Sequence, residues 1–111
     1  MDNERKDKPE EESGERTLRR QLAEEYLRVA GSCAEEIDRR MKQERARWEE
    51  QIRSEQPELC TFENRHRYRW ARSKHMVDFQ NRDPEILRCK QEGDAWTRKA
   101  DELLAELRRE E

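Results

Sequence analysis

The sequence predicts an all-α protein with a disordered acidic N-terminal tail, one long helix and two shorter helices. Charged residues make up 48% of the 111 residues, with 28 acidic and 25 basic side chains, and there are only three Gly and three Pro. Such a composition favours long solvated helices. Leu, Ile, Val and Phe together number 15, too few for a wide globular core. We therefore expect amphipathic helices in a helical hairpin or an extended coiled-coil-like arrangement.

The N-terminal segment, residues 1–15, has an acidic and irregular sequence. It contains seven acidic and three basic residues, Pro9 and Gly14 interrupt it, and no apolar periodicity is visible before Leu18. These features are typical of a disordered segment. The segment also lacks the apolar run of a secretory signal.

Residues 16–56 carry one long apolar stripe. Its members are Leu18, Leu22, Tyr26, Val29, Cys33, Ile37, Met41, Trp48 and Ile52. They cover 34 residues in nine turns, a period of about 3.8 that favours a straight or slightly right-handed packed partner. Because Pro57 disfavours α geometry at Gln56 and suits the first turn of a new helix, we expect the long helix to end at about Glu55.

The middle segment, residues 57–83, is predicted to be helical from Glu58 and contains a basic and aromatic window. No acidic residue occurs between Glu63 and Asp78. The patch consists of Arg65, Arg67, Tyr68, Arg69, Trp70, Arg72 and Lys74. Three interpretations are open: a solvated face that pairs with acidic parts of the same chain, a docking site for an acidic protein, or a surface that binds phosphates and stacks bases. The net charge of −3 argues against nonspecific nucleic-acid binding.

The last segment, residues 84–111, has the clearest periodicity of the chain. Asp83 is suited to cap the helix and Pro84 to begin it. Apolar and small residues then alternate in steps of three and four, a heptad seam: Ile86, Cys89, Gly93, Trp96, Ala100, Leu103 and Leu107. The seam predicts either a helix that folds back onto the first helix or one that pairs with another chain.

The string Arg-x-Arg-Trp occurs twice, ending at Trp48 and at Trp70, with a spacing of 22 residues. Trp and Arg are enriched at binding hot spots, so the two copies suggest equivalent anchor points, although each Trp could equally be a core residue. The predicted partner-binding residues of the stripe and the seam are Leu22, Tyr26, Ile37, Met41, Trp48, Ile52, Trp96, Leu103 and Leu107.

No catalytic, cofactor-binding or metal-binding residues are predicted. Cys33, Cys60 and Cys89 are odd in number and widely spaced, which favours reduced thiols. His66 and His75 have no cysteine at ligand spacing, and the chain lacks a phosphate-binding Gly-rich loop and a nucleophile elbow.

These patterns together predict a non-enzymatic structural or adaptor subunit that docks onto a larger protein assembly, with a cytoskeletal assembly as one example. The expected partner has an acidic surface. A nucleic-acid-binding module that uses residues 65–75 and a self-associating coiled-coil scaffold are the alternatives. No segment has the ~20 apolar residues of a membrane span. We expect a cytoplasmic protein, with the nucleus as the other compartment.

Overall fold

The computed structural model of the chain describes the backbone of residues 2–110 and the side chains of residues 14–110, and it confirms the all-α fold class. Three α-helices follow one another: α1 from Asp2 to Glu55, α2 from Arg65 to Arg82 and α3 from Pro84 to Arg109. A short 3-10 helix, Pro57–Cys60, lies between α1 and α2. Within the described range there is no strand and no helix apolar enough to cross a membrane.

The helix boundaries at the two internal prolines are those that the sequence predicts. α1 ends at Glu55, and Gln56 leaves the helical region with φ −136° and ψ 60° before Pro57. Asp83 closes α2, where its amide donates to the Phe79 carbonyl at 2.9 Å. It also opens α3, because its carboxylate accepts a hydrogen bond from the Ile86 amide at 3.0 Å. The predicted cap of α3 is thus confirmed.

The predicted start of the second helix at Glu58 was wrong, because α2 begins only at Arg65. Side chains stabilise the intervening segment in a form other than an α-helix: Asn64 Nδ2 donates to the Glu58 carbonyl at 2.8 Å, and Thr61 Oγ1 donates to the same carbonyl at 3.2 Å. Such local side-chain hydrogen bonds compete with helix formation.

Residues 1–15 were predicted to be disordered. The side chains of residues 1–13 lie outside the described part of the structure, so the disorder of this segment stays a prediction. Glu15 lies in α1, where its carboxylate pairs with Arg19 at 2.9 Å.

The chain forms two compact units, and unit 1 comprises residues 1–32 and 92–111. Here the first half of α1 packs antiparallel against the second half of α3. Arg19 pairs with Glu110, and the rings of Tyr26 and Trp96 lie 5.3 Å apart. Ala23, Ala100 and Leu107 form the buried core of this unit.

The burial of side chains along α1 corrects the first part of the predicted apolar stripe of the long helix. Leu18 is 67% exposed, and Leu22 and Val29 are also exposed, whereas Ala23 is fully buried. The inward-facing residues of α1 alternate in steps of four and three, and all are buried or half-buried: Arg19, Ala23, Tyr26, Ala30, Cys33, Ile37, Arg40 and Glu44. The period of about 3.8 over this part of α1 was therefore wrong. The inner face is a heptad, built with alanines and charged residues.

Unit 2 comprises residues 33–91 and contains the larger aromatic core. The second half of α1 packs antiparallel against α2, with Trp48 5.3 Å from Tyr68 and 5.9 Å from His75 between ring centroids. Ile52, Met76, Ile86 and Cys89 are buried as well.

Charged groups also hold unit 2 together. Arg40 donates two hydrogen bonds, of 2.8 and 2.7 Å, to the two carboxylate oxygens of Asp83. Glu44, only 7% exposed, accepts hydrogen bonds from Arg47 at 2.6 and 2.7 Å and lies 3.0 Å from His75 Nε2. The Arg40 guanidinium, assisted by the Ile86 amide, holds the pKa of Asp83 below its usual value.

Candidate functional site

The seven residues of the basic and aromatic patch lie in unit 2 on α2, and the helix divides them between two surfaces. Arg65, Tyr68, Arg69 and Arg72 line a cleft at the turn between α1 and α2. Arg67, Trp70 and Lys74 do not line that cleft. The structure thus brings only part of the predicted patch together, because residues three and four apart share a helix face and residues two apart do not.

The first surface, which we call the basic cleft, has a volume of about 480 Å³. The residues that line it come from the last turns of α1, the connecting turn and the first turns of α2: Glu49, Arg53, Leu59, Cys60, Thr61, Phe62, Arg65, Tyr68, Arg69 and Arg72. The lining therefore contains four arginines and one glutamate. This local excess of positive charge favours an anionic ligand.

Two of the four guanidinium groups in the basic cleft are already engaged. Arg72 pairs with Glu49 at 3.2 Å. Arg65 lies with its Cζ atom 4.0 Å from the centroid of the Phe62 ring and donates to the Phe62 carbonyl at 2.9 Å. Arg53 and Arg69 are exposed and have no carboxylate partner among the side chains that the structure describes. Their hydrogen-bonding capacity is left for a ligand.

Tyr68 lines the basic cleft from α2. It is half-buried against Trp48, and Arg72 lies over its ring with Cζ 5.6 Å from the centroid. Burial raises the pKa of Tyr68, and the nearby Glu49 carboxylate raises it further. The phenol therefore stays protonated at neutral pH and can donate a hydrogen bond.

The second surface, which we call the outer face of α2, consists of Arg67, Trp70, Lys74 and Val77. Trp70 is 67% exposed and Val77 is 55% exposed. The Lys74 ammonium lies 5.3 Å from the Trp70 ring centroid, within cation–π distance. Residues 70, 74 and 77 have helical spacing that places them on one side of α2. The outer face therefore combines exposed apolar area with positive charge.

The two copies of Arg-x-Arg-Trp are not equivalent. Trp48 is 7% exposed and packs inside unit 2, whereas Trp70 lies on the surface. The prediction of two equivalent anchors was wrong. A repeated string does not determine which face of its helix is covered, or which other helix covers it. Only Trp70 is accessible to a partner without unfolding of unit 2.

The remaining predicted partner-binding residues differ in exposure. Trp48, Ile52 and Leu107 are buried in the cores of their units, and Leu22 is exposed. The others are half-buried: Tyr26, Ile37, Met41, Trp96 and Leu103. Of these, Tyr26 and Trp96 contact each other, and Lys99 lies over the Trp96 ring at 4.6 Å. Intramolecular packing thus uses much of the surface that the sequence assigned to a partner.

The heptad seam of α3 is confirmed as a packing surface. Ile86, Cys89, Ala100 and Leu107 are buried, and the other members, Gly93, Trp96 and Leu103, are half-buried. In unit 1 the ring contact between Tyr26 and Trp96 joins α3 to α1, so the fold-back interpretation of the seam is the one observed there.

The prediction from sequence missed two groups that shape the site. Arg53 and Glu49 of α1 line the basic cleft although they lie outside the acid-free window. Pro57 is the sequence signal that could have indicated these two residues, because the hairpin there brings the last turns of α1 against α2. Among the side chains from residue 14 onward, no group of three or more metal-ligating residues lies together.

Comparison with known protein families, curated proteins and solved structures gives no match for this chain.

Proposed function

We propose that the protein is a non-enzymatic helical adaptor subunit that docks onto an acidic surface of a larger protein assembly through the outer face of α2. An assembly in the cytoplasm, with the cytoskeleton as one example, is the setting we propose. Both units bury their helix seams internally, so binding would use surface side chains and leave the fold unchanged.

The exposure of the Trp70 side chain is the observation that supports this proposal. An indole that is 67% exposed leaves a large apolar area in water, and Trp is among the residue types most enriched at the energetic centres of interfaces. Val77 extends the apolar area by two helical turns, and Arg67 and Lys74 flank it. An apolar strip bordered by cations is complementary to an apolar strip bordered by carboxylates.

A protein partner is favoured over a nucleic acid by the charge of the chain. The net charge is −3, whereas nonspecific nucleic-acid binders neutralise many phosphates along a predominantly basic surface. Nucleic-acid binding is instead one of the outcomes that the experiment distinguishes.

The test is an affinity purification with the full chain and two matched variants. The first variant, Trp70→Ser with Val77→Ser, removes the apolar part of the outer face. The second, Leu18→Ser with Leu22→Ser, removes an exposed apolar pair of unit 1. We expect the wild type and the second variant to retain the same acidic protein, crosslinked through Lys74, and the first variant to lose it.

Three results would contradict the proposal. Retention of the protein by the Trp70 variant would exclude the outer face. Loss only in the Leu18 variant would assign docking to unit 1. Recovery of nuclease-sensitive nucleic acid in place of a protein would favour the nucleic-acid-binding alternative.

A further inference from the structure

The basic cleft differs from the outer face of α2 because it offers a partly enclosed volume. About 480 Å³ falls within the ~300–1,000 Å³ of typical ligand clefts. A bare inorganic ion would fill little of it. A short peptide segment with two or three side chains is a better match in size.

The ligand-binding capacity of the basic cleft lies in Arg53 and Arg69. Both residues line the cleft, and no described carboxylate pairs with either. A guanidinium presents a planar fork of donors that binds a carboxylate or phosphate through two parallel hydrogen bonds. One such fork belongs to α1 and the other to α2, so the two helices each offer an arginine to a ligand in the cleft.

An apolar wall stands beside these donors. Phe62 is 78% exposed and has Arg65 over one side of its ring, while Leu59 lines the same cleft. A ligand that fits both features carries an oxyanion next to an aromatic or aliphatic group. Burial of that group against Phe62 would add the hydrophobic contribution that a carboxylate alone lacks.

We infer that the basic cleft binds an acidic peptide segment in which a carboxylate pairs with Arg53 and Arg69 and a neighbouring apolar side chain packs against Phe62. The inference rests on the proposed function only in that both involve an acidic protein partner. The two surfaces are separate sets of residues, so each can be tested without the other.

Neutralisation of Glu49 is expected to change the ligand affinity in a direction that a purely structural role would not produce. Glu49 is the one carboxylate that lines the basic cleft, and it pairs with Arg72 at 3.2 Å. A carboxylate in a binding site repels an anionic ligand and competes for its cations. Its neutralisation should therefore strengthen binding, although it removes an ion pair from the folded protein.

The experiment measures fluorescence anisotropy of a labelled Asp-Asp-Phe-Asp-Asp peptide with the full chain at low ionic strength. We expect the wild type to bind it and to bind an Asn-Asn-Phe-Asn-Asn peptide at least about tenfold more weakly, because an Asn amide carries no charge and cannot form the charge-assisted hydrogen bonds that a carboxylate forms with a guanidinium. Arg53→Ala with Arg69→Ala should weaken binding about tenfold or more.

The matched control is Arg45→Ala with Arg98→Ala, which removes two exposed cations that line no part of the cleft. When the titration is repeated at an ionic strength of about 0.15 M, where the Debye length is ~8 Å, this control should change the affinity less than about twofold, because neither side chain lines the cleft. Glu49→Gln should tighten binding about two- to fivefold. Arg53→Lys with Arg69→Lys keeps the charge but loses the fork, and it should give an intermediate affinity.

Equal loss in the cleft variant and the control would overturn the inference, as would weaker binding by Glu49→Gln in a chain whose circular dichroism is unchanged. The source of the oxyanion is tested with a phosphoserine version of the peptide: binding more than about tenfold tighter than the Asp peptide would replace the carboxylate assignment by a phosphate. Tighter binding of a single-stranded oligonucleotide in the same cleft would also overturn it.

The two proposals fail in different ways. If peptide binding depends on Arg53 and Arg69 but Trp70→Ser with Val77→Ser retains its protein partner, the cleft stands and the proposed docking through the outer face fails. If the outer-face variant loses the partner but the cleft variant binds the peptide like the wild type, only the inference about the cleft fails.

Discussion

Units 1 and 2 are both built on α1, yet different chemistry holds each of them. Unit 1 has a narrow core in which Ala23 and Ala100 are fully buried and one aromatic pair, Tyr26 and Trp96, supplies most of the ring contact. Unit 2 buries Trp48 against Tyr68 and His75 and encloses the charged Glu44. The same helix thus supports a close, small-residue seam in one unit and a bulky, partly ionic core in the other.

The exposed surfaces of the two units differ as well. In unit 2 the turn after Pro57 joins α1 to α2, and the basic cleft is lined by residues from that turn and from the two adjoining helix ends. In unit 1 the buried residues include Ala23 and Ala100, and exposed apolar residues such as Leu18 lie on its outside. Positive charge beside aromatic side chains is thus a feature of the unit 2 surface.

The largest expected effect is the loss of the unit 2 core in Trp48→Ala. Trp48 is 7% exposed and contacts two rings, and truncation of a buried Trp costs ~3–5 kcal/mol. We expect the free energy of unfolding, measured with urea by circular dichroism, to fall by about that amount.

Trp70→Ala is the matched control for Trp48, because it makes the same chemical change at the other copy of Arg-x-Arg-Trp. We expect a change within ~0.5 kcal/mol, as for surface substitutions. A loss at Trp70 as large as that at Trp48 would show that both copies belong to the core and would remove Trp70 from the docking surface.

Overpacking of unit 1 gives the next largest effect. Ala100→Leu adds volume at a position with 0% exposure, and insertion of methylene groups into a well-packed seam costs ~1–3 kcal/mol. Urea unfolding should show this loss. Ala95→Leu, at an exposed position of the same helix, should leave the stability within ~0.5 kcal/mol; a neutral Ala100→Leu would mean that the seam is loosely packed.

Features coded by adjacent residues could be predicted from the sequence. The ends of α1 and α2 follow from Pro57 and Asp83-Pro84, and the seam of α3 follows from its strict heptad spacing. In each case the physical cause, a missing amide or a regular apolar period, acts within one or two helical turns.

Features that depend on which residues meet across the hairpin were not predictable in this way. The inner face of α1 uses Ala23 and the charged Arg40 and Glu44, so a stripe defined by large apolar residues selected Leu18 and Leu22 on the outside. The cleft likewise combines Arg53 with α2. Both depend on close packing and ion pairing between distant segments, which periodicity along one helix does not encode.

Lowering the pH should destabilise unit 2 through protonation of Glu44. Burial opposes its ionisation, but the hydrogen bonds from Arg47 and His75 together outweigh burial and lower the pKa of Glu44 below its usual value of 4.5. Since the folded-state pKa is the lower one, this carboxylate stabilises the fold above pH about 4.5 and loses that contribution as the pH falls through the depressed value.

The pH effect is measured as the urea midpoint of the wild type and of Glu44→Gln between pH 7 and pH 3. We expect the wild type to be the more stable at pH 7 and the difference to shrink as the pH falls. Glu50→Gln, an exposed neighbour, should follow the wild type at every pH. A difference between wild type and Glu44→Gln that stays constant down to pH 3 would exclude the proposed linkage.

The smallest effect is a gain in unit 1 from Gly31→Ala. Gly31 lies in the interior of α1 with a helical φ, and a Cβ atom added there meets nothing within 4 Å. Since Gly in a helix interior costs ~0.5–1 kcal/mol relative to Ala, the variant should be more stable by about that amount in thermal and urea unfolding. Gly31→Val should gain less, because a β-branched side chain loses rotamer freedom in a helix. A loss of stability in Gly31→Ala would mean that another surface packs closely over Gly31. An equal gain in both variants would show that backbone restriction of the unfolded chain, and not helix propensity, supplies the effect.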